Sequence, residues 1–267
     1  MADHFLKTGS ETVEVQQTKP KADGGFTEVL KIFVSAFFIA FLIRSFAYEP
    51  FSIPSGSMEP TLQIGDTLFV SKFAYGYGPY SIPFIKLPFD GRIGGTGPER
   101  GDIVVFKLPT DTSTDYIKRV IGLPGDQVQV VDGRLYINDK LVERDFKADV
   151  LEFNSGIRLP RKLYHETLPN GVVHEIFEEN DNQPLDDTRI FKVPEGKYFM
   201  MGDNRDGSQD SRVILKVGYV PAENIVGRAE RIFYSVKPGE PWWQFWRWGE
   251  VMRLDRTFLS VDTVPDK

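Results

Sequence analysis

The 267-residue chain reads as a mainly β protein: an antiparallel β-sheet domain carrying the candidate catalytic residues and an inserted subdomain, preceded by one N-terminal transmembrane helix. Three observations predict this. After residue 48, short β-branched and aromatic runs recur with turn residues between them. No amphipathic stretches of about 10–15 residues separate those runs, which disfavours a parallel doubly wound sheet. A single long uncharged apolar run, Ile32 to Ile43, precedes them all.

Residues 1–28 are polar and without an apolar period, so a disordered tail is expected there. The apolar run is flanked by Lys31 and Arg44 and extended by Val29, Leu30 and the Ser45–Tyr48 stretch. A span over residues 29–47 comes near the roughly 20 residues a bilayer needs, with Lys31 and Arg44 able to snorkel. The apolar region of a cleaved signal peptide, with Ser45-Phe46-Ala47 as its small-x-small site, and a buried core helix are the alternatives. Lys19, Lys21 and Lys31 precede the run and only Arg44 closely follows it, which puts the N-terminus in the cytoplasm.

The strand candidates are residues 67–73, 102–108, 116–121, 127–131, 134–137, 172–177, 189–193, 197–201 and 225–233. Asp132-Gly133 marks a hairpin between two of them. Residues 76–98 are rich in Gly and Pro and predict a long irregular excursion. Residues 143–188 are polar and weakly patterned, as expected of an insertion. All four tryptophans fall within residues 242–248. Such a run cannot all point inward, and an aromatic segment at a membrane interface explains it better than a core strand.

Composition narrows the function. A net charge of −6 disfavours a broad nucleic-acid-binding surface. With no cysteine there is no thiol nucleophile, disulfide or zinc–thiolate site, and only His4, His165 and His174 could serve a histidine-based centre. No metal or cofactor is called for.

Three segments carry chemistry. Pro54-Ser55-Gly56-Ser57-Met58-Glu59-Pro60 is a short proline-bounded turn that would hold Ser57 rigid, as acyl transfer requires, with backbone N–H groups available to an oxyanion. No histidine lies near a motif, so the base for Ser57 would be a lysine. Lys118, in Tyr116-Ile117-Lys118-Arg119-Val120, is the best placed, sharing a strand face with Tyr116 and Val120. Burial there would favour the neutral amine that a general base needs. Gly202-Asp203-Asn204-Arg205-Asp206-Gly207-Ser208-Gln209-Asp210-Ser211-Arg212 superficially suggests a calcium loop. The ligand register fails, since counting back from Gly207 puts Gly202 at the first ligand position and Val213 where the last carboxylate belongs. A tight turn dense in Asp, Ser and Arg remains, suited to orienting a buried lysine.

These segments, with Arg100-Gly101-Asp102-Ile103-Val104-Val105-Phe106-Lys107 and the Tyr48–Gly76 stretch, resemble the ordered sequence boxes of bacterial type I signal peptidases, over roughly residues 29–126 and 196–234. The resemblance implies that Ser57 is the nucleophile and Lys118 the general base. It implies an oxyanion hole from the Ser57 N–H and the Ser55 hydroxyl, and a Ser208 that orients the Lys118 amine. It implies an ionic frame of Asp203, Asp210, Arg119 and Arg212. Phe51, Ile53, Met58, Leu62, Val105, Tyr116 and Ile117 would line shallow pockets for small side chains at the first and third positions before the cut. The implied partners are exported preproteins with their signal peptides, the phospholipid bilayer and, as a further candidate, the secretion translocon. The implied location is the bacterial cytoplasmic (inner) membrane, crossed once, with the N-terminus cytoplasmic and the catalytic domain periplasmic or otherwise extracytoplasmic. One departure stands out: Gly207 occupies a position where many family members have Asn. Two rival readings meet obstacles in the sequence. A self-cleaving repressor-type Ser–Lys peptidase would need an N-terminal DNA-binding motif, where this chain has a polar tail and an apolar run. A catalytically dead binding module would lack the serine or the lysine, and both are present.

Overall fold

The computed structural model describes residues 25–82, 85–154, 157–240 and 243–262. Chain contacts divide it into a unit of residues 1–40 and a unit of residues 41–267. Helix α1 spans Gly25–Phe46. It starts inside the expected tail, with Glu28 in the first turn suiting the positive end of the helix dipole, and Arg44 in the last turn suiting the negative end. The remainder of that tail, residues 1–24, lies outside the described residues. The apolar side chains of α1 are exposed (Phe33 68%, Phe37 74%), so it is no core helix, and its length and apolarity suffice to cross a membrane.

The larger unit is built from antiparallel pairs. β1 (Tyr48–Ser52), β2 (Asp66–Ser71), β3 (Ile103–Leu108) and β4 (Asp111–Gly122) come first. Then follow β5 (Gln127–Val131), β6 (Arg134–Ile137), β7 (Lys140–Leu141), β8 (Glu143–Asn154), β9 (Ile157–Thr167) and β10 (Val173–Glu178). The last are β11 (Phe191–Lys192), β12 (Lys197–Met201), β13 (Val220–Pro221) and β14 (Ile225–Ser235). A seven-stranded sheet has the order β1-β2-β14-β3-β4-β12-β13, a four-stranded one β11-β5-β6-β7, and a three-stranded one β10-β9-β8. Between β5 and β6, Asp132 and Gly133 both take positive φ (47° and 68°), as a two-residue hairpin turn demands.

Residues 143–178 of the insertion form the three-stranded sheet, with β8 and β9 paired along nearly their whole length. These two strands escape the eye in the sequence because their exposed faces are charged and alternation is blurred by Lys147 and Pro160. The 76–98 excursion is held by side chains: Lys72, fully buried, reaches the Ser81 carbonyl at 2.6 Å and Glu49 at 2.8 Å, and Arg92 donates to the carbonyls of Tyr75, Gly76, Ala222 and Ile225.

Candidate active site

The 54–62 turn follows β1 and is nailed down on both sides of Ser57. Ile53, Met58 and Leu62 are at most 2% exposed and share one core cluster with Leu68, Val105 and Ile117. Their burial fixes a turn whose own backbone bonds are few, leaving Ser57 half-buried at its crest and Ser55 exposed. The two serine Oγ atoms are 3.5 Å apart.

Lys118 sits in β4 opposite Val104 of β3, 3% exposed. Its Nζ lies 2.7 Å from Ser57 Oγ and donates to the Ile117 carbonyl at 2.8 Å; the Tyr116 ring centroid is 5.4 Å away. Burial brings the amine from an ordinary value of 10.5 down to about 8; Asp210 and Asp203 pull it back up, and Arg212 presses it down.

Behind the pair, the loop between β12 and β13 packs two buried ion pairs. Arg119 grips Asp203 with two hydrogen bonds of 2.8 and 2.7 Å, and Thr61 donates to the same carboxylate at 2.6 Å. Arg212 grips Asp210 through Nε and Nη2, each at 2.9 Å. Although burial raises the Asp210 carboxyl, Arg212 and the Gly202 N–H hold it below the usual range. The far end of the loop is locked to β12, where Met200 and Ser211 exchange two hydrogen bonds.

Ser208 is 3% exposed and, like the Ser57 carbonyl, lies against Gly202, but its hydroxyl has no hydrogen-bond partner among the described residues. The hydrogen bond to Lys118 expected from the sequence is therefore not formed in this structure. Of the seven expected pocket residues, Ile53, Met58, Leu62, Val105 and Ile117 are buried in the core and can only floor a pocket; Phe51 and Tyr116 remain partly exposed. Phe51 and Val105 line a groove of about 620 Å³ with Ser52, Thr112, Ser113 and Asp115. β1 is the terminal strand of its sheet, and β12 pairs β4 only over residues 119–122. Both β1 and the 111–118 part of β4 therefore keep one edge unpaired by another strand of the seven-stranded sheet, and such an edge can accept an extended peptide.

Sequence reading missed three contributors. Asn204 donates through Nδ2 to the Gly56 carbonyl at 3.0 Å and through its backbone N–H to the Ser57 carbonyl at 3.2 Å, tying the two loops together. Thr61, just past the serine turn, anchors the Asp203 carboxylate through its hydroxyl. Gly202 matters for its lack of a side chain. Only the Asn204 turn chemistry left a sequence signal, and its partner was not readable.

The expected departure at Gly207 has a local reason: a Cβ there would lie 2.7 Å from the Asn204 amide, whose oxygen already accepts the Gly207 N–H at 3.1 Å.

Comparison with known proteins agrees with these motifs. The family model "Signal peptidase, peptidase S26" matches residues 26–234. The proteins named signal peptidase I from Rickettsia akari (strain Hartford) and Rickettsia canadensis (strain McKiel) are 44% and 42% identical. The first comparison covers 84% of this chain and 88% of the relative, the second 91% and 97%. A crystal structure of a signal peptidase I from Enterococcus faecalis V583 is 29% identical, with a TM-score of 0.29, covering 49% of this chain and 95% of that one. Because the family match runs through the turn, the lysine strand and the acidic loop together, the chain belongs to the S26 family of signal peptidases.

Proposed function

We propose that the protein is a membrane-anchored serine endopeptidase that removes N-terminal signal peptides from exported preproteins after small-x-small sites, with Ser57 as nucleophile and Lys118 as general base. The observation that carries this reading is the 2.7 Å contact between Lys118 Nζ and Ser57 Oγ, with the lysine nearly sealed from water.

The chemistry follows from that contact. A neutral amine has one lone pair; with one N–H donated to the Ile117 carbonyl, that lone pair remains available to accept the Ser57 hydroxyl proton across the 2.7 Å contact. Ser57 Oγ–H then gives its proton to the amine as the oxygen attacks the scissile carbonyl, and the ammonium returns the proton to the leaving amine. The Ser57 N–H and Ser55 hydroxyl receive the developing oxyanion. Substrate adds as a strand between β1 and β4, so that the backbone supplies affinity and the small pockets over Phe51, Tyr116 and the buried apolar floor select side chains.

Helix α1 serves as a single anchor in the bacterial inner membrane, with the N-terminus cytoplasmic and the catalytic domain periplasmic, in keeping with the excess of lysine before it. Trp243, Phe245, Trp246 and Trp248 are 46–68% exposed and suit the headgroup level of a bilayer. Trp242 lies outside the described residues. The test is direct. Purified full-length protein in detergent is incubated with a preprotein and the new N-terminus is sequenced. A single cut after a small-x-small site is expected; an intact preprotein sinks the reading.

A further inference from the structure

The mechanism above makes no use of the insertion, yet its last strand is stitched to the loop that carries Asp203, Ser208 and Asp210. Phe177 in β10 donates its N–H to the Asp203 carbonyl at 2.9 Å and accepts the Arg205 N–H at 2.9 Å, a parallel bridge to Asn204. The Arg205 side chain reaches back into the insertion, where both of its terminal nitrogens donate to the two carboxylate oxygens of Glu166 in β9. Arg205 is 4% exposed and Glu166 1%. His174, directly across the ladder from Glu166, lies 3.4 Å from the same carboxylate. Burial, and then the charges of Arg119 and Arg205, keep that imidazole neutral. The Arg205 carbonyl in turn accepts from Arg212, the partner of Asp210. A buried, two-point ion pair adds little net stability but is strongly directional, which suits a role in fixing a loop.

We propose that Glu166 of the insertion is a positioning residue for peptide cleavage: by clamping Arg205 it holds the 202–212 loop, and with it Asp203, Asp210 and Ser208, against Ser57 and Lys118. This rests on the signal peptidase reading. The charges that act on the Lys118 amine are Asp210, Asp203 and Arg212, all three from this loop. Tyr116 from its own strand also faces the amine, and Arg119, its neighbour in β4, is neutralised by Asp203. A displaced loop therefore changes the pH at which the amine loses its proton as well as the geometry of attack.

The test compares full-length wild type with Glu166→Gln in preprotein cleavage between pH 6 and 10. The expected result is a kcat at least 10-fold lower, a KM within 2-fold of wild type, and a displaced midpoint in the pH profile. Wild-type kcat with a wild-type pH profile overturns the proposal, even if the variant melts earlier. If Glu166→Gln does not fold, Glu166→Asp keeps the charge but withdraws the carboxylate; a kcat at least 3-fold lower at unchanged KM supports the clamp, and wild-type kcat removes it. Amide hydrogen exchange over residues 202–212 reads the clamp without substrate. Faster exchange in the variant is expected, and unchanged exchange overturns the inference by itself. Wild type that leaves the preprotein uncut removes the proposed function instead, and the exchange result still stands.

Discussion

Gly202 lies directly against Ser57: a Cβ built on it would stand 2.4 Å from the Ser57 carbonyl oxygen and 2.2 Å from Ser208 Oγ. No side chain tolerates such distances, so the acidic loop approaches the serine turn only because residue 202 has none. The same approach lets Asn204 bond the carbonyls of Gly56 and Ser57.

Gly202→Ala should push the loop and the turn apart. A displacement near 1 Å at the reacting serine costs on the order of 100-fold in rate, and overpacking costs about 1–3 kcal/mol of stability. Steady-state cleavage assays together with a thermal melt check both; a variant with wild-type kcat contradicts the close approach.

Ser57→Ala and Lys118→Met should each lower kcat by about 10⁴-fold or more, because nucleophile and base act as one unit. For the same reason the double variant should be no worse than the poorer single one. Additive losses would show that the two side chains act independently.

The pH profile should rise through about 8, where the Lys118 amine loses its proton, and level off above it. A maximum below pH 6 rules out a lysine base. The same group makes a stability prediction. Its folded value lies below its ordinary 10.5, so the unfolded chain binds the extra proton between about 8 and 10.5, and stability from this group rises with pH across that window. Below about 8 the buried ammonium costs about 3 kcal/mol. Lys118→Met should therefore be at least as stable as wild type at neutral pH, with its advantage shrinking toward pH 10.5, as denaturant melts at several pH values would reveal.

Arg119→Lys keeps the charge but loses the two-point grip on Asp203 and the bond to the Gly101 carbonyl. Both partners of the pair are at most 2% exposed, so the buried acceptors left unmet should cost about 1–3 kcal/mol in stability, with reduced turnover. Unchanged melting and kcat would mean that the pair is dispensable.

Much of this protein is legible in its residues alone. Strands such as 127–131, 134–137 and 197–201 declare themselves by β-branched and aromatic residues between turn signals, and the apolar run of α1 by its length. The residues that could do chemistry were also evident, since the absence of cysteine and the placement of the histidines left serine and lysine. The long β8–β9 hairpin was hidden because its pairing draws on backbone bonds and cross-strand partners that polar side chains do not advertise.

Local chemistry is written in the order of residues, and so the sequence by itself determined the apolar helix, the serine turn, the lysine strand and the acidic loop. The tertiary structure alone decided that residues 57 and 118, sixty-one positions apart, meet at hydrogen-bonding distance. It alone decided that the amine is dry enough to fall to about 8, and that an insertion with no motif of its own grips the loop through Glu166 and Arg205. Proximity, desolvation and ion pairing depend on which distant segments pack together, and that packing is a property of the whole chain.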